Sequence, residues 1–223
     1  MLELVDATKT ISLPFGSPLH VLRGVSLQIA AGESLAVLGR SGSGKSTLLG
    51  LLGLIDTLNS GSYKVDGRET VGLSDKESAN LRGTTFGFVY QRFCLMNHLS
   101  AFRNVEAPLL HRGGIAWRQA VINALDKVGL ADRAWHKPDQ LSGGEQQRVA
   151  IARALVHNPK VILADEPTGS LDVATGRAVL DLMVELVREA GVTLVVVTHD
   201  PQIAVRMERV VELVDGVLME GRP

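Results

Sequence analysis

The spacing of apolar and polar positions changes several times along this chain, and each change predicts an element. Val25, Leu27 and Ile29 alternate with Ser26 and Gln28, the two-residue period of a strand with one buried face. Residues 2–8 read the same way. Ser34–Leu38 is a short apolar strand running into glycines, and Lys45–Leu54 then carries leucines at helical spacing. Ser62–Val65 is a strand between the turn signals Ser60, Gly61 and Asp66, Gly67, and Phe86–Tyr90 is another, ending at Gln91. Val161–Ala164 and Thr193–Val197 are continuous apolar runs, as expected of strands buried on both faces of a parallel sheet. Between them Thr175–Ala190 is an amphipathic helix stopped by Gly191. Strands alternating with helices predict an α/β core.

Residues 100–140 break this rhythm. Helical periodicity over Trp117–Val128, with turn signals at Gly113, Gly114, Gly129 and Pro138, predicts a helical lobe inserted between strands of the main sheet. A helix over about Gln146–Val156 returns the chain to the core and stops before Asn158 and Pro159. The chain is therefore expected to be one domain, 1–223, with core and β subdomain over 1–91 and 157–223 and the helical lobe over about 92–156.

Composition narrows the class by exclusion. Apolar residues are 45% and charged residues 21%, ordinary for a globular domain. A net charge of −1 leaves no basic footprint for a broad nucleic-acid surface. No apolar run approaches the ~18 residues that span a bilayer, and Met1–Asp6 reads as a strand rather than a signal peptide. The single cysteine, Cys94, rules out an intramolecular disulfide, fits a reducing cytoplasm, and reads as a small buried hydrophobe.

Two segments carry most of the chemistry. Gly39, Arg40, Ser41, Gly42, Ser43, Gly44, Lys45 and Ser46, followed by Thr47, fit the glycine-rich loop whose backbone N–H groups wrap a polyphosphate. A lysine adds charge there and a hydroxyl reaches Mg²⁺. The strand before it and the helix after it supply the context that this motif requires. In Leu141, Ser142, Gly143, Gly144, Glu145, Gln146, Gln147, Ser142 and Glu145 form a capping box that opens a helix. Two glycines leave its positive end bare of side chains. That is a second phosphate-binding surface, far along the chain from the first, and it points to two subunits sharing a nucleotide.

Asp165 and Glu166 end a buried strand, and Pro167 turns the chain out of it. Asp165 suits Mg²⁺ held through water, and Glu166 suits a general base polarising the attacking water. His199 ends the run Thr193–Thr198, where parallel sheets bind ligands, and could reach the γ-phosphate. Gln91 could reach Mg²⁺ or the water. Phe93, Leu95, Met96 and Leu99 behind it are either packing between lobes or a groove for a short partner helix. The other histidines, at 20, 98, 111, 136 and 157, show no metal-ligand spacing.

In this order Gly39–Thr47, Gln91, Leu141–Gln147, Asp165–Glu166, Ser170–Leu171–Asp172 and His199 resemble the motif series of ABC-transporter ATP-binding subunits. The corresponding motifs are Walker A, Q-loop, signature, Walker B, D-loop and switch histidine. The likeness runs over about residues 2–218. Leu52–Asp56, Gly87–Gln91, Asn104–Leu109 and Ala164–Gly169 are similar to the subgroup of macrolide exporters, lipoprotein-release ATPases and cell-division ATPases. Ser170 stands where that subgroup most often has Asn, and the ring that stacks on adenine in the family has no clear counterpart here, Phe15 being the one aromatic in Lys9–His20. Weak stacking is therefore expected, with Ile11 or Leu13 covering the base.

The resemblance implies a P-loop NTPase (RecA-like) core, an N-terminal antiparallel β subdomain and an inserted α-helical signature subdomain. It implies an ATPase using ATP and Mg²⁺. Gly39–Thr47 would hold the nucleotide, Ser46, Gln91 and Asp165 the metal, and Glu166, His199 and Gln91 would serve catalysis. Ser142, Gly143, Gly144 and Glu145 would act on the other subunit's nucleotide, flanked by the D-loop residues Ser170, Leu171 and Asp172. The implied partners are a second copy of the chain and an integral membrane permease at the cytoplasmic face of the inner membrane, with no nucleic acid. The competing class is a soluble ABC-type ATPase acting on DNA or ribosomes. The segment between Gln91 and Leu141 leaves no room for the long coiled coil that such proteins often carry.

Overall fold

The computed structural model describes residues 1–12, 16–110 and 117–220; Leu13, Phe15, His111 and the turn expected at Gly113 and Gly114 lie outside them. The chain divides into two compact units, Met1–Arg82 with Thr193–Pro223, and Gly83–Val192.

The first unit holds an antiparallel sheet of β1 (Leu2–Ile11), β2 (Leu19–Ile29), β4 (Ser60–Val65) and β5 (Arg68–Glu69), in the order β2-β1-β4-β5. The register pairs Leu2 with Ile29, Leu4 with Leu27 and Ala7 with Val25. All six are buried, so the alternation seen in the sequence becomes one apolar sheet face. β1 and β2 run further than that alternation predicts. Their outer halves pair Ile11 with Leu19, both exposed, where no buried face enforces a period.

The same unit contains β3 (Ser34–Leu38), β8 (Thr193–Thr198), β9 (Arg209–Val214) and β10 (Val217–Glu220), ordered β10-β9-β3-β8. β3 runs parallel to both β8 and β9, and β10 closes an antiparallel hairpin. Every residue of β8 is buried, which is why its apolar run is unbroken. Helix α1 (Lys45–Leu52) packs on β8, and its Leu48, Leu49, Leu51 and Leu52 are all buried. Each such leucine contributes about 1.5–3 kcal/mol of apolar burial. The helix stops at Gly53, whose N–H bonds back to Leu49, two residues before the predicted end.

In the second unit β6 (Phe86–Tyr90) and β7 (Val161–Asp165) pair in parallel, Phe86 against Val161 and Tyr90 against Asp165. Helix α2 (Asp75–Thr85), most of which belongs to the first unit, leads into β6, and α3 (Ala101–Glu106) and α4 (Trp117–Lys127) follow it. Helix α5 (Gly143–Leu155) packs against β6, α3, α4 and α6 (Val173–Glu189). Small residues at Gly144, Ala150, Ala152 and Ala154, all buried, let so many neighbours approach one helix. The α6 stripe Val179, Leu180, Met183 and Val187 is buried, as its 3.6-residue period requires. A short helix, α7 (Pro201–Ala204), follows β8 in the first unit. Among the described residues no helix is long and apolar enough to cross a membrane.

Candidate active site

The site residues expected from the sequence divide between the units. Gly39–Thr47 and His199 fall in the first; Gln91, Ser142–Glu145, Asp165, Glu166 and Ser170–Asp172 fall in the second.

In the first unit the loop leaves the end of β3, and Gly39 N–H donates to Thr198 O at 3.2 Å. This bond sets the loop beside the carboxyl end of β8, where exposed His199 follows. The two motifs therefore share the strand ends at which open α/β sheets bind ligands. Gly44 sits at φ +101° with its Cα against Val21, and a Cβ there would lie 2.9 Å from Val21 O, so only glycine fits. As N-cap of α1 it offers no side-chain hydrogen bond. The positive end of that helix is left to an anion.

Lys45 is 7% exposed, and its ammonium donates to Gly39 O at 2.8 Å and Arg40 O at 2.9 Å. An ammonium has three donors, so these bonds brace the loop and aim the charge into it. Ser43 Oγ is buried with no hydrogen-bond partner. A buried hydroxyl without a partner in a loop of this pattern is free to bond a phosphate oxygen. Ser46 is exposed and Thr47 half-buried on the first turn of α1.

In the second unit the Tyr90–Asp165 pairing places Gln91 and Glu166 at neighbouring strand ends. Glu166 takes φ +45°, a left-handed conformation that a non-glycine residue adopts only where its surroundings enforce it. Gly169 N–H closes the turn onto Glu166 O at 3.0 Å. Gln91 lies over Gly169, where a Cβ would come within 2.9 Å of Gln91 Nε2.

The capping box forms as expected. Glu145 N–H donates to Ser142 Oγ at 3.3 Å, while Glu145 Oε2 accepts from Ser142 N–H at 2.8 Å and Oγ–H at 2.7 Å. These bonds, the Ser142 hydroxyl first, hold the Glu145 carboxyl below the usual range, with Arg133 and Arg148 adding to them. The helix opens at Gly143 rather than near Gln146, because the cap fixes its first turn. Gly143 faces Leu171, and a Cβ on Gly144 would meet Thr175 Cγ2 at 2.5 Å, so the signature turn lies on the D-loop. Asp172 caps α6 by accepting from Thr175 N–H at 3.0 Å. The Thr175 hydroxyl and amide hold its carboxyl below the usual range.

Cys94 departs from expectation: it is exposed. Phe93 and Cys94 both sit at positive φ, +60° and +50°, and Arg153 of α5 donates to Phe93 O at 2.8 Å and Cys94 O at 2.5 Å. With both carbonyls turned inward, the thiol points out. Burial pushes the Arg153 pKa down, the cost of a guanidinium placed where it can hold this turn. No sequence pattern signals Arg153, and the signature segment names Gln147 without signalling its burial; both meet main-chain carbonyls distant in the chain.

A glycine-rich loop between a buried parallel strand and an uncapped helix defines an α/β nucleotide-binding protein of the P-loop class. The sequence profile described as ABC transporter matches residues 22–169, and the chain belongs to the ABC transporter family as an ATP-hydrolysing cassette that binds ATP. It is 51% identical over 206 residues to the macrolide export ATP-binding/permease protein MacB 1/2 of Paracoccus denitrificans (strain Pd 1222), covering 92% of this chain and 31% of that protein. With MacB of Escherichia coli (strain K12) it shares 46% over 227 residues, 100% of this chain and 34% of the relative. The chain thus spans about a third of the length of the curated relatives it matches. Among solved structures, the dimeric post-hydrolysis state of the cassette MJ0796 bound to ADP and Pi superposes with a TM-score of 0.90 at 41% identity, covering 100% of both chains.

Proposed function

We propose that this chain works as a head-to-tail pair of cassettes that binds two ATP and drives an export permease of the MacB type. The observation that carries the reading is the presence of two unlike phosphate-binding ends in one chain. One is the cradle at α1; the other is the signature turn of α5, with glycines at its first two positions. The relative solved as a dimer with ADP and Pi supports the pairing, and the ATP-binding/permease relatives support the membrane partner. The competing reading, a soluble ATPase acting on DNA or ribosomes, has no relative of that kind among those described above. The work is expected at the cytoplasmic face of the inner membrane.

In this reading Lys45 and the loop amides hold the phosphates. Ser142, Gly143 and Gly144 act on the nucleotide of the other copy, with Ser170, Leu171 and Asp172 beside them. Glu166 accepts the proton of the attacking water, and Gln91 and His199 orient it. Ser46 and Asp165, with Gln91, supply the oxygen donors that suit Mg²⁺, which when bound neutralises developing phosphate charge. The donors are hydroxyl, amide and carboxylate oxygens, the set that a hard cation prefers.

Mixing Ser142→Arg with Lys45→Ala subunits tests the shared geometry. In a head-to-tail mixed dimer both lesions fall on one composite site, so turnover should rise above that of either variant alone. Mixed dimers shown to form but giving no recovery would count against a shared site. A crosslink between Gly39–Thr47 and Ser142–Glu145 positions of different copies, trapped in ATP, provides the structural check.

A further inference from the structure

We propose that Gln147 is a positioning residue for Glu166. The proposal rests on the reading of Glu166 as general base and names what holds that base in place. Gln147 lies on the second turn of α5 and is 0% exposed. Its Nε2 donates to Pro167 O at 2.5 Å and reaches Tyr90 O at 3.4 Å. One carbonyl belongs to the residue after Glu166, the other to the residue before Gln91. Both are acceptors, so the amide must present its NH₂ to them.

That orientation leaves Gln147 Oε1 buried with no hydrogen-bond partner. A buried orphan acceptor is unfavourable, and a leucine or methionine would fill the same space without one. The side chain leaves this acceptor bare, and what its amide holds is the pair of strand ends. The need is plain at Glu166. Its φ of +45° is not one that the chain adopts unaided, and the contacts that close the turn include Gly169 N–H on Glu166 O and Gln147 on Pro167 O. Because Gln147 sits only three to five residues beyond Ser142, Gly143 and Gly144, the amide joins the signature turn rigidly to the turn that aims the carboxylate. A load on the first turn of α5 can then reach the Glu166 turn through this side chain.

The test uses the whole chain with Gln147→Met, which keeps the volume and removes the donor, and Gln147→Asn, which keeps the amide one methylene short of the carbonyls. Both are compared with Glu166→Gln and with the Glu166→Gln/Gln147→Met double variant. ATP hydrolysis is followed in steady state and, for the slow variants, in single turnover, with thermal melting as the folding control. Glu166→Gln should lose roughly 10²–10⁴-fold in turnover. The Gln147 variants should lose roughly 10–100-fold in kcat, the scale of a misplaced catalytic group, with KM for ATP within about twofold of the parent. In the Glu166→Gln background the Gln147 change should cost nothing further, because there is no base left to misplace.

Folded Gln147 variants with parental kcat would overturn the proposal. So would a rise in KM at constant kcat, which would make the residue a nucleotide-binding one, or additive losses in the double variant, which would make it act apart from Glu166. If Met fails to melt cooperatively, the Asn variant carries the same outcomes. Parental turnover in Glu166→Gln would instead remove the base itself, and that failure is read from the single variant without reference to Gln147.

Discussion

The cradle at Gly39–Thr47 and the signature turn at Ser142–Glu145 are both helix N-termini prepared for phosphate, yet they are built in opposite ways. The cradle is main chain throughout. Its helix is uncapped at Gly44, and its buried charge, Lys45, is tied to the loop's own carbonyls. The signature turn is capped by its own serine and carries a carboxylate, Glu145, at its positive end. A helix end left open takes an anion by itself, whereas a helix end already satisfied has to be offered one by something else. The first is built within one chain. In the proposed pair of cassettes the second would meet a nucleotide held by another copy.

The largest effect that would sharpen this contrast is on binding by a single chain. Lys45→Ala removes a charged hydrogen-bond donor worth about 1.5–3 kcal/mol, and ATP affinity by calorimetry should fall roughly 10–100-fold with the melting transition retained. Ser142→Arg should leave the monomer's ATP affinity unchanged. Equal losses in both would erase the distinction.

A smaller effect separates the two glycine contacts. A Cβ at Gly39 would stand 2.6 Å from Leu213 O, a main-chain atom, whereas at Gly144 it meets only the Thr175 methyl. Gly39→Ala should cost about 1–3 kcal/mol of stability by denaturant unfolding, and no single side-chain change should restore it. Gly144→Ala should be recovered by Thr175→Ser, which deletes that methyl. Failure of this rescue would show that the signature turn is fixed by backbone, as the cradle is.

The smallest effect concerns the cap. Ser142→Ala should cost about 1 kcal/mol near neutral pH. Because the folded Glu145 carboxyl lies below its unfolded value of about 4.3, its contribution is present above that pH and is lost as pH falls through the folded value. Melting temperature against pH should therefore drop on the acid side in the parent, and that part of the slope should flatten in Ser142→Ala. An unchanged slope would mean that the cap does not hold Glu145.

Much of this was legible in the sequence because it is local. The alternation of Val25, Leu27 and Ile29 and the unbroken runs at Val161–Ala164 and Thr193–Val197 became the faces that their periods predict. Ser142 and Glu145 became a cap because three residues of spacing are enough to close one. Helix α2 gave no such signal. Of its residues only Thr85 is buried, so no apolar stripe marks it, and β9 hid its buried Val211 and Leu213 among charged neighbours.

Spacing and residue type determined which segments are proposed to hold phosphate, where the carboxylates fall and which family the chain resembles, since each depends on neighbours within one turn or one strand. Only the tertiary structure decided how those segments are held. It turned Cys94 outward by giving its carbonyl to Arg153, set Gly39 against Leu213, and brought Gln147 under Pro167. Each of those contacts joins main-chain atoms to residues that are distant in the chain. A main-chain carbonyl is the same in every residue, so no pattern of side chains announces it.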